Sequence, residues 1–253
     1  MLWSYGVTTV VSRVMDGTLQ RTLASLANAG FDRPRLFLDG SAAGGVPANL
    51  DVTVRAPSVG PWGNWWLGLV ELYLREPACE RYAIFQDDVL ACKGLREYLS
   101  RCQYPDGRDG REPGFWNLYT ARHSEWEVGG REGWMQGALV SPGDPSERLQ
   151  KCIGALGLVF NREAVMLLLS SPIVAQKAAA VDRPNRNIDG CVVTAMNLHR
   201  SKEWPAGWRE YVHGPSLIQH TGTESTIRQE PQEKRATTFR GEGWDAMEML
   251  KEV

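Results

Sequence analysis

Residues 81–89 read Arg81-Tyr82-Ala83-Ile84-Phe85-Gln86-Asp87-Asp88-Val89, and this stretch decides the fold. Tyr, Ile and Phe suit a pleated, packed surface, and a short apolar run bounded by polar residues predicts an interior strand over 82–85. Two adjacent carboxylates follow at once. A helix-like pattern starts with Leu95 to Leu99, so Asp87 and Asp88 belong where a strand ends and the chain turns. In open α/β sheets ligands bind in the crevice at the carboxyl ends of strands. Neighbouring carboxylates repel unless a cation or hydrogen-bond donors compensate. Mg²⁺ or Mn²⁺ commonly bridges one or two carboxylates to substrate phosphates. The plainer alternative is a pair of turn-capping acids in solvent.

Upstream, Tyr5 to Val11 is apolar and β-branched, which predicts a first, central strand. Leu19, Leu23, Leu26 and Ala27 then recur at helical spacing up to Gly30, and Arg35 to Leu38 forms a second strand. Strand, helix, strand in that order is a βαβ unit, so the strands are parallel and the crossover right-handed. No Gly-x-Gly-x-x-Gly or Walker-type loop follows the first strand. Asp51 to Arg55 reads as a third strand. Gly60-Pro61-Trp62-Gly63-Asn64 then opens a helix, with Asn64 either its cap or a donor to ligand.

Downstream, Gln103 to Pro113 is a surface loop and Phe115 to Tyr119 another strand. Residues 121–137 mix aromatics with glycine, as an ordered loop over a site would. Gly154 to Phe160 is a buried strand, and Arg162 starts an apolar helix that Pro172 ends. Asn187-Ile188-Asp189-Gly190 precedes another helix, and Tyr211 to His220 closes as an extended segment. The tail 228–253 is charged and is expected to order, at least in part, when ligand binds.

The chain has 253 residues, 43% of them hydrophobic and 23% charged. One large α/β domain with one sizeable core accommodates that length. A net charge of −2 gives no global case for nucleic-acid or membrane binding. Five cysteines (79, 92, 102, 152 and 191) without CxxC spacing argue against a zinc site or a disulfide scaffold, and free thiols imply the cytoplasm. Met1 to Tyr5 lacks the marks of a signal peptide, and no run approaches the roughly 18 apolar residues of a membrane span.

In this order the pieces resemble nucleotide-sugar-dependent glycosyltransferases of the GT-A (Rossmann-like) fold, and within them the branch of type IV-like N-acetylglucosaminyltransferases. Four stretches carry the resemblance: Val7 to Arg13 with the helix through Thr22 to Leu26; Gln86-Asp87-Asp88, a DXD-like variant of the family's acidic metal motif; Gly157 to Arg162; and Pro215-Ser216-Leu217-Ile218-Gln219-His220-Thr221-Gly222-Thr223-Glu224-Ser225. One departure stands out, since Gln86 sits where relatives often carry an acid.

The resemblance implies a single domain over 1–227, with a mostly parallel central sheet flanked by helices and the tail 228–253 ordering over the active site. It implies a hexosyltransferase-like enzyme moving a sugar from a UDP-sugar to a hydroxyl acceptor with Mn²⁺ or Mg²⁺. Asp88 and His220 would hold the metal, and Asp87 would bind ribose or donor sugar. Thr9, Val10, Arg13, Asp39 and Asn64 would complete the nucleotide-sugar site. Asp189, at a helix start, would be the base of an inverting transfer, or would orient the donor in a retaining one. Trp116, Tyr119, Trp126 and Trp134 would form a stacking floor for the acceptor, with Glu125 and Gln136 as polar partners. The acceptor would be a glycan, a lipid-linked sugar, a protein side chain, a small hydroxylated compound or a modified DNA base. The residues taken singly also fit plainer roles: His220 a buried imidazole, Asp189 a cap, Arg13 and Asp39 a weak surface pair, the aromatics core. Two other functions fit the same fold, a catalytically silent nucleotide- or sugar-binding module and a nucleotidyltransferase.

Overall fold

The central strand is β1, Trp3–Val10, whose β-branched run is buried on alternate residues. Parallel neighbours flank it: β2, Arg35–Asp39, on one side and β4, Arg81–Gln86, on the other. The computed structural model describes residues 1–41, 46, 48–121, 124–125, 128–137, 154–179, 187–205, 207–221 and 235–251. Beyond β2 lies the edge strand β3, Val52–Arg55, also parallel. Beyond β4 come β8 (Gly157–Asn161), β6 (Gly114–Asn117), β9 (Arg209–Gly214) and β7 (Gly133–Gln136). The order β3-β2-β1-β4-β8-β6-β9-β7 contains four parallel pairings and three antiparallel ones. The fold is therefore mixed α/β around a mostly parallel sheet, as expected.

Helices cover both faces. On one side lie α1 (Val11–Met15) and α2 (Thr18–Asn28); on the other lies α3 (Gly60–Arg75). Alternate strand residues feed two separate cores, since successive side chains point to opposite faces. Ala83 and Phe85 join Leu19, Leu26 and Phe31, while Tyr82 and Ile84 join Trp62, Trp65 and Leu69. Phe37 fixes the spacing of α3 on the sheet. Its ring lies between Gly6 and Gly68, where an added Cβ would come within 2.5 and 2.8 Å of it. The second core is completed by α5 (Arg162–Ser170), α6 (Pro172–Ala179) and α7 (Ile188–Leu198). Asn161 and Asn187 cap α5 and α7 through N–H donation from Ala164 and Gly190.

Four elements depart from the sequence expectation. The chain does not turn straight from the acidic pair into a helix. It first forms β5, Val89–Ala91, which pairs antiparallel with β10, Ile218–His220, in a two-stranded sheet of its own, and only then enters α4, Leu95–Arg101. The closing segment 211–220 is accordingly two strands in two sheets. Residues 133–136, expected as loop, form the edge strand β7. In the tail, residues 246–250 form a 3₁₀ helix whose Ala246 is buried.

Candidate functional site

The chain passes from β1 to β2 and β3 on one side, then through α3 to β4 on the other side of β1. The order of strands reverses between β1 and β4, and such a switch point opens a crevice at the carboxyl ends. The acidic pair stands in it. Asp87 Oδ2 accepts from the Val10 backbone N–H at 3.3 Å. Thr22, on α2, pins the turn from below. Its hydroxyl donates to the Asp87 carbonyl at 2.7 Å and accepts from Val89 N–H at 3.1 Å. Both acids are largely enclosed, with Asp87 8% and Asp88 7% exposed. Burial, and then the neighbouring Asp88 charge, push the Asp87 carboxyl up to about 7, against the pull of Thr9, Arg13 and the Val10 N–H.

The antiparallel pairing of β10 with β5 sets His220 opposite Val89, and Thr221 N–H donates to the Asp88 carbonyl at 2.8 Å. The consequence is a side-chain contact between residues distant in sequence. His220 Nε2 lies 3.2 Å from Asp88 Oδ2, and the Arg13 guanidinium is 3.7 Å from the same oxygen. Among the described residues, Asp88 Oδ1 is buried with no hydrogen-bond partner. A buried carboxylate oxygen without a donor is costly, and a cation or a further donor would relieve that cost. One oxygen and one imidazole nitrogen suit Mn²⁺ or Mg²⁺, which complete their shells with phosphate oxygens and water. Among the described residues no group of three His, Cys, Asp or Glu side chains forms a fuller cage.

The remaining expected nucleotide ligands divide. Thr9 and Val10 lie at the end of β1, and Arg13 on the α1 that follows it, beside the acids. Asp39 ends β2 level with Val10, but both its oxygens are engaged. Ser58 Oγ, Val59 N–H and Gly60 N–H donate to it at 2.8, 2.7 and 2.9 Å, so it anchors the start of α3. The plainer alternative, an Arg13–Asp39 surface pair, is not formed, because Arg13 turns to Asp16 and Asp88. Asn64 is neither cap nor exposed. It lies inside α3, 2% exposed, and donates to the Phe37 carbonyl at 2.7 Å.

Asp189 occupies the first turn of α7, half-buried. Its Oδ2 accepts from Gly154 N–H at 2.8 Å and its Oδ1 from Gly190 N–H at 3.0 Å. Residues 154–156 link it to the acidic pair. Gln86 N–H donates to the Leu156 carbonyl at 2.8 Å, and its side-chain Nε2 donates to the Ala155 carbonyl at 3.0 Å. A carboxylate at 86 has no hydrogen to give that carbonyl, which is the physical use of glutamine at this position.

The expected stacking floor is corrected in part. Trp116 is 0% and Tyr119 3% exposed, because β6 is an interior strand enclosed on both faces. Trp116 stacks on Trp134 at 4.7 Å between ring centroids, and Trp134 meets the buried His213 edge-on. Trp116 and Tyr119 therefore belong to the core, and Trp134, half-buried on the edge strand, packs against it. Trp126 lies outside the described residues. Glu125 accepts from Thr237 and Thr238, at the start of the C-terminal segment, and Gln136 donates to Glu112. Sequence reasoning missed Thr22 and Gln219. The signal for Thr22 was a polar side chain on the buried face of an amphipathic helix.

No family model matches the sequence, and no curated protein matches it. Solved structures do. One is described as mannose-1-phosphate geranyltransferase from Thermus thermophilus, at 15% identity and TM-score 0.43, over 84% of this chain and 74% of that one. A second is a glycosyltransferase involved in glycosylation of the major capsid of PBCV-1, at 9% identity and TM-score 0.48, over 88% and 95%. A third is a putative glucose-1-phosphate thymidylyltransferase from Bacillus anthracis, at 8% identity and TM-score 0.48, over 89% and 92%. With every TM-score under 0.5 these likenesses carry no functional argument, which rests on the site itself.

Proposed function

We propose that the protein is a metal-assisted glycosyltransferase of GT-A type, moving a sugar from a UDP-sugar to a hydroxyl acceptor with inversion. One observation carries the reading. Asp88 and His220 meet at 3.2 Å at the end of β4, with the second Asp88 oxygen buried and unpartnered among the described residues. Departure of a nucleoside diphosphate concentrates negative charge, and Asp88 and His220 would hold a divalent cation that, when bound, would compensate it. Arg13, 3.7 Å from Asp88, adds a fixed positive charge beside it. Thr9 and Val10, on the rim of β1, would border the space for base and ribose, with Asp87 beside them to bind ribose or donor sugar.

Asp189 takes the acceptor's proton. Each of its oxygens receives one N–H, which fixes the carboxylate and leaves lone pairs for a hydroxyl. The acceptor oxygen bonds to the anomeric carbon as its proton passes to Asp189. The bond to the diphosphate breaks, and its electron pair leaves on the phosphate oxygen. In a retaining transfer Asp189 would orient the donor instead.

The test is a screen of UDP-sugars for hydrolysis with manganese or with EDTA. UDP release that needs the metal and disappears in Asp88→Ala supports the reading. Pyrophosphate release from a nucleoside triphosphate and a sugar phosphate would assign a nucleotidyltransferase. Manganese-dependent UDP binding without turnover, with or without an offered hydroxyl acceptor, would leave a silent binding module.

A further inference from the structure

We infer that Gln219 is a positioning residue for His220, fastening the C-terminal segment to the backbone of the candidate metal ligand. The inference rests on the metal-site reading of Asp88 and His220. On β10 only one edge is paired with β5; the other edge would leave the His220 N–H open. Gln219 closes it with its own side chain. Its Oε1 accepts from His220 N–H at 3.1 Å and from Ala236 N–H at 2.9 Å, while Nε2 donates to the Ala236 carbonyl at 2.9 Å. The amide thus bonds both backbone groups of Ala236, as a neighbouring strand would, and holds His220 with the same oxygen.

The segment it grips is anchored on both sides. Ser216 N–H donates to Thr238 Oγ1 at 3.1 Å, Glu125 accepts from Thr237 and Thr238, and Arg240 pairs with Glu132. Further on, Lys93 N–H donates to the Trp244 carbonyl at 3.0 Å and Ala246 N–H to the Lys93 carbonyl at 2.9 Å. Lys93 follows β5 closely, so the segment spans from the strand behind Asp88 to the strand that bears His220. Ala236 itself is 3% exposed. Groups that orient a metal ligand without touching the metal typically change its affinity about 10- to 100-fold when removed.

Manganese binding with UDP present, followed by the electron paramagnetic resonance of free Mn²⁺, tests this in the full chain. Gln219→Ala is expected to weaken Mn²⁺ at least about 10-fold while UDP binding in EDTA stays unchanged. A merely structural role would lower the melting temperature without separating the two affinities. Should the variant fail to fold, hydrogen exchange on the unmutated protein decides. Linkage requires that a site coupled to Ala236 protect the Ala236 N–H when it fills, so exchange there slows on adding Mn²⁺ and UDP. Unchanged Mn²⁺ affinity in a folded Gln219→Ala, or exchange at Ala236 indifferent to the ligands, overturns the inference. UDP binding by the unmutated protein that ignores manganese would sink the metal-site reading instead, and this inference with it.

Discussion

Asp87 is held against its own charge. Its carboxyl, raised from an ordinary 3.8 to about 7 mainly by burial and then by Asp88, binds a proton more firmly folded than unfolded. Its contribution to stability is therefore complete at pH below about 4 and is lost as pH rises through 7. Asp87→Asn keeps an acceptor for Val10 N–H and removes the charge. At pH 8 it should unfold at higher urea than the parent, by on the order of 2–4 kcal/mol, and bind UDP with manganese far more weakly. A variant less stable than the parent at pH 8 would contradict this. His213 has the opposite sign. It is sealed in the core, its Nε2 2.6 Å from Tyr98 OH and its Nδ1 2.6 Å from the Pro215 carbonyl. Burial lowers its pKa from 6.5 to about 4. Only the unfolded chain takes up the proton between those values, so stability falls as pH drops from 6.5 to 4, by roughly 3 kcal/mol. His213→Gln should flatten that part of a urea-midpoint profile, whatever it costs at neutral pH. Asp87 and Asp88 were legible at this scale because an apolar run ends on them. The burial of Trp116 was not, since it depends on which strands flank β6.

Elements were legible where their periodicity was long. The strands β1, β2 and β4 and the helices α2 and α3 fall within a few residues of expectation. The three-residue strands β5 and β10 escaped, because neither carries enough residues for alternation to register. Their pairing is nonetheless what brings an imidazole to Asp88. Packing of α3 on the sheet offers a sharp test. Gly to Ala inside a helix ordinarily stabilises by about 0.5–1 kcal/mol. At Gly68 the new Cβ would lie 2.8 Å from the Phe37 ring, and Gly6 closes the ring's other side. Overpacking a confined ring costs typically about 1–3 kcal/mol, so the clash outweighs the propensity. Gly68→Ala is expected to lower stability by roughly 1–2 kcal/mol in urea titration, and a gain would show that α3 can slide.

Across the whole molecule, the fold class and the mostly parallel central sheet followed from the βαβ opening, while the three antiparallel pairings within that sheet did not, because strand direction beyond β4 is set by contacts remote in sequence. Among the described residues no helix is long and apolar enough to cross a membrane, and Cys79, Cys92, Cys102 and Cys191 are free thiols. Three of those thiols are buried, so labelling with a bulky maleimide in native buffer should be slow at Cys79, Cys92 and Cys191 and become rapid in denaturant. The placing of β9 between β6 and β7, and of β10 on β5, has a consequence for synthesis. A ribosome at five to twenty residues per second exposes both acids well before either late strand emerges. Until then the nascent chain carries two half-open sheet edges and no imidazole for Asp88. A stalled or prematurely terminated polypeptide ending near residue 205 should therefore bind chaperones and precipitate, rather than persist in a folded form.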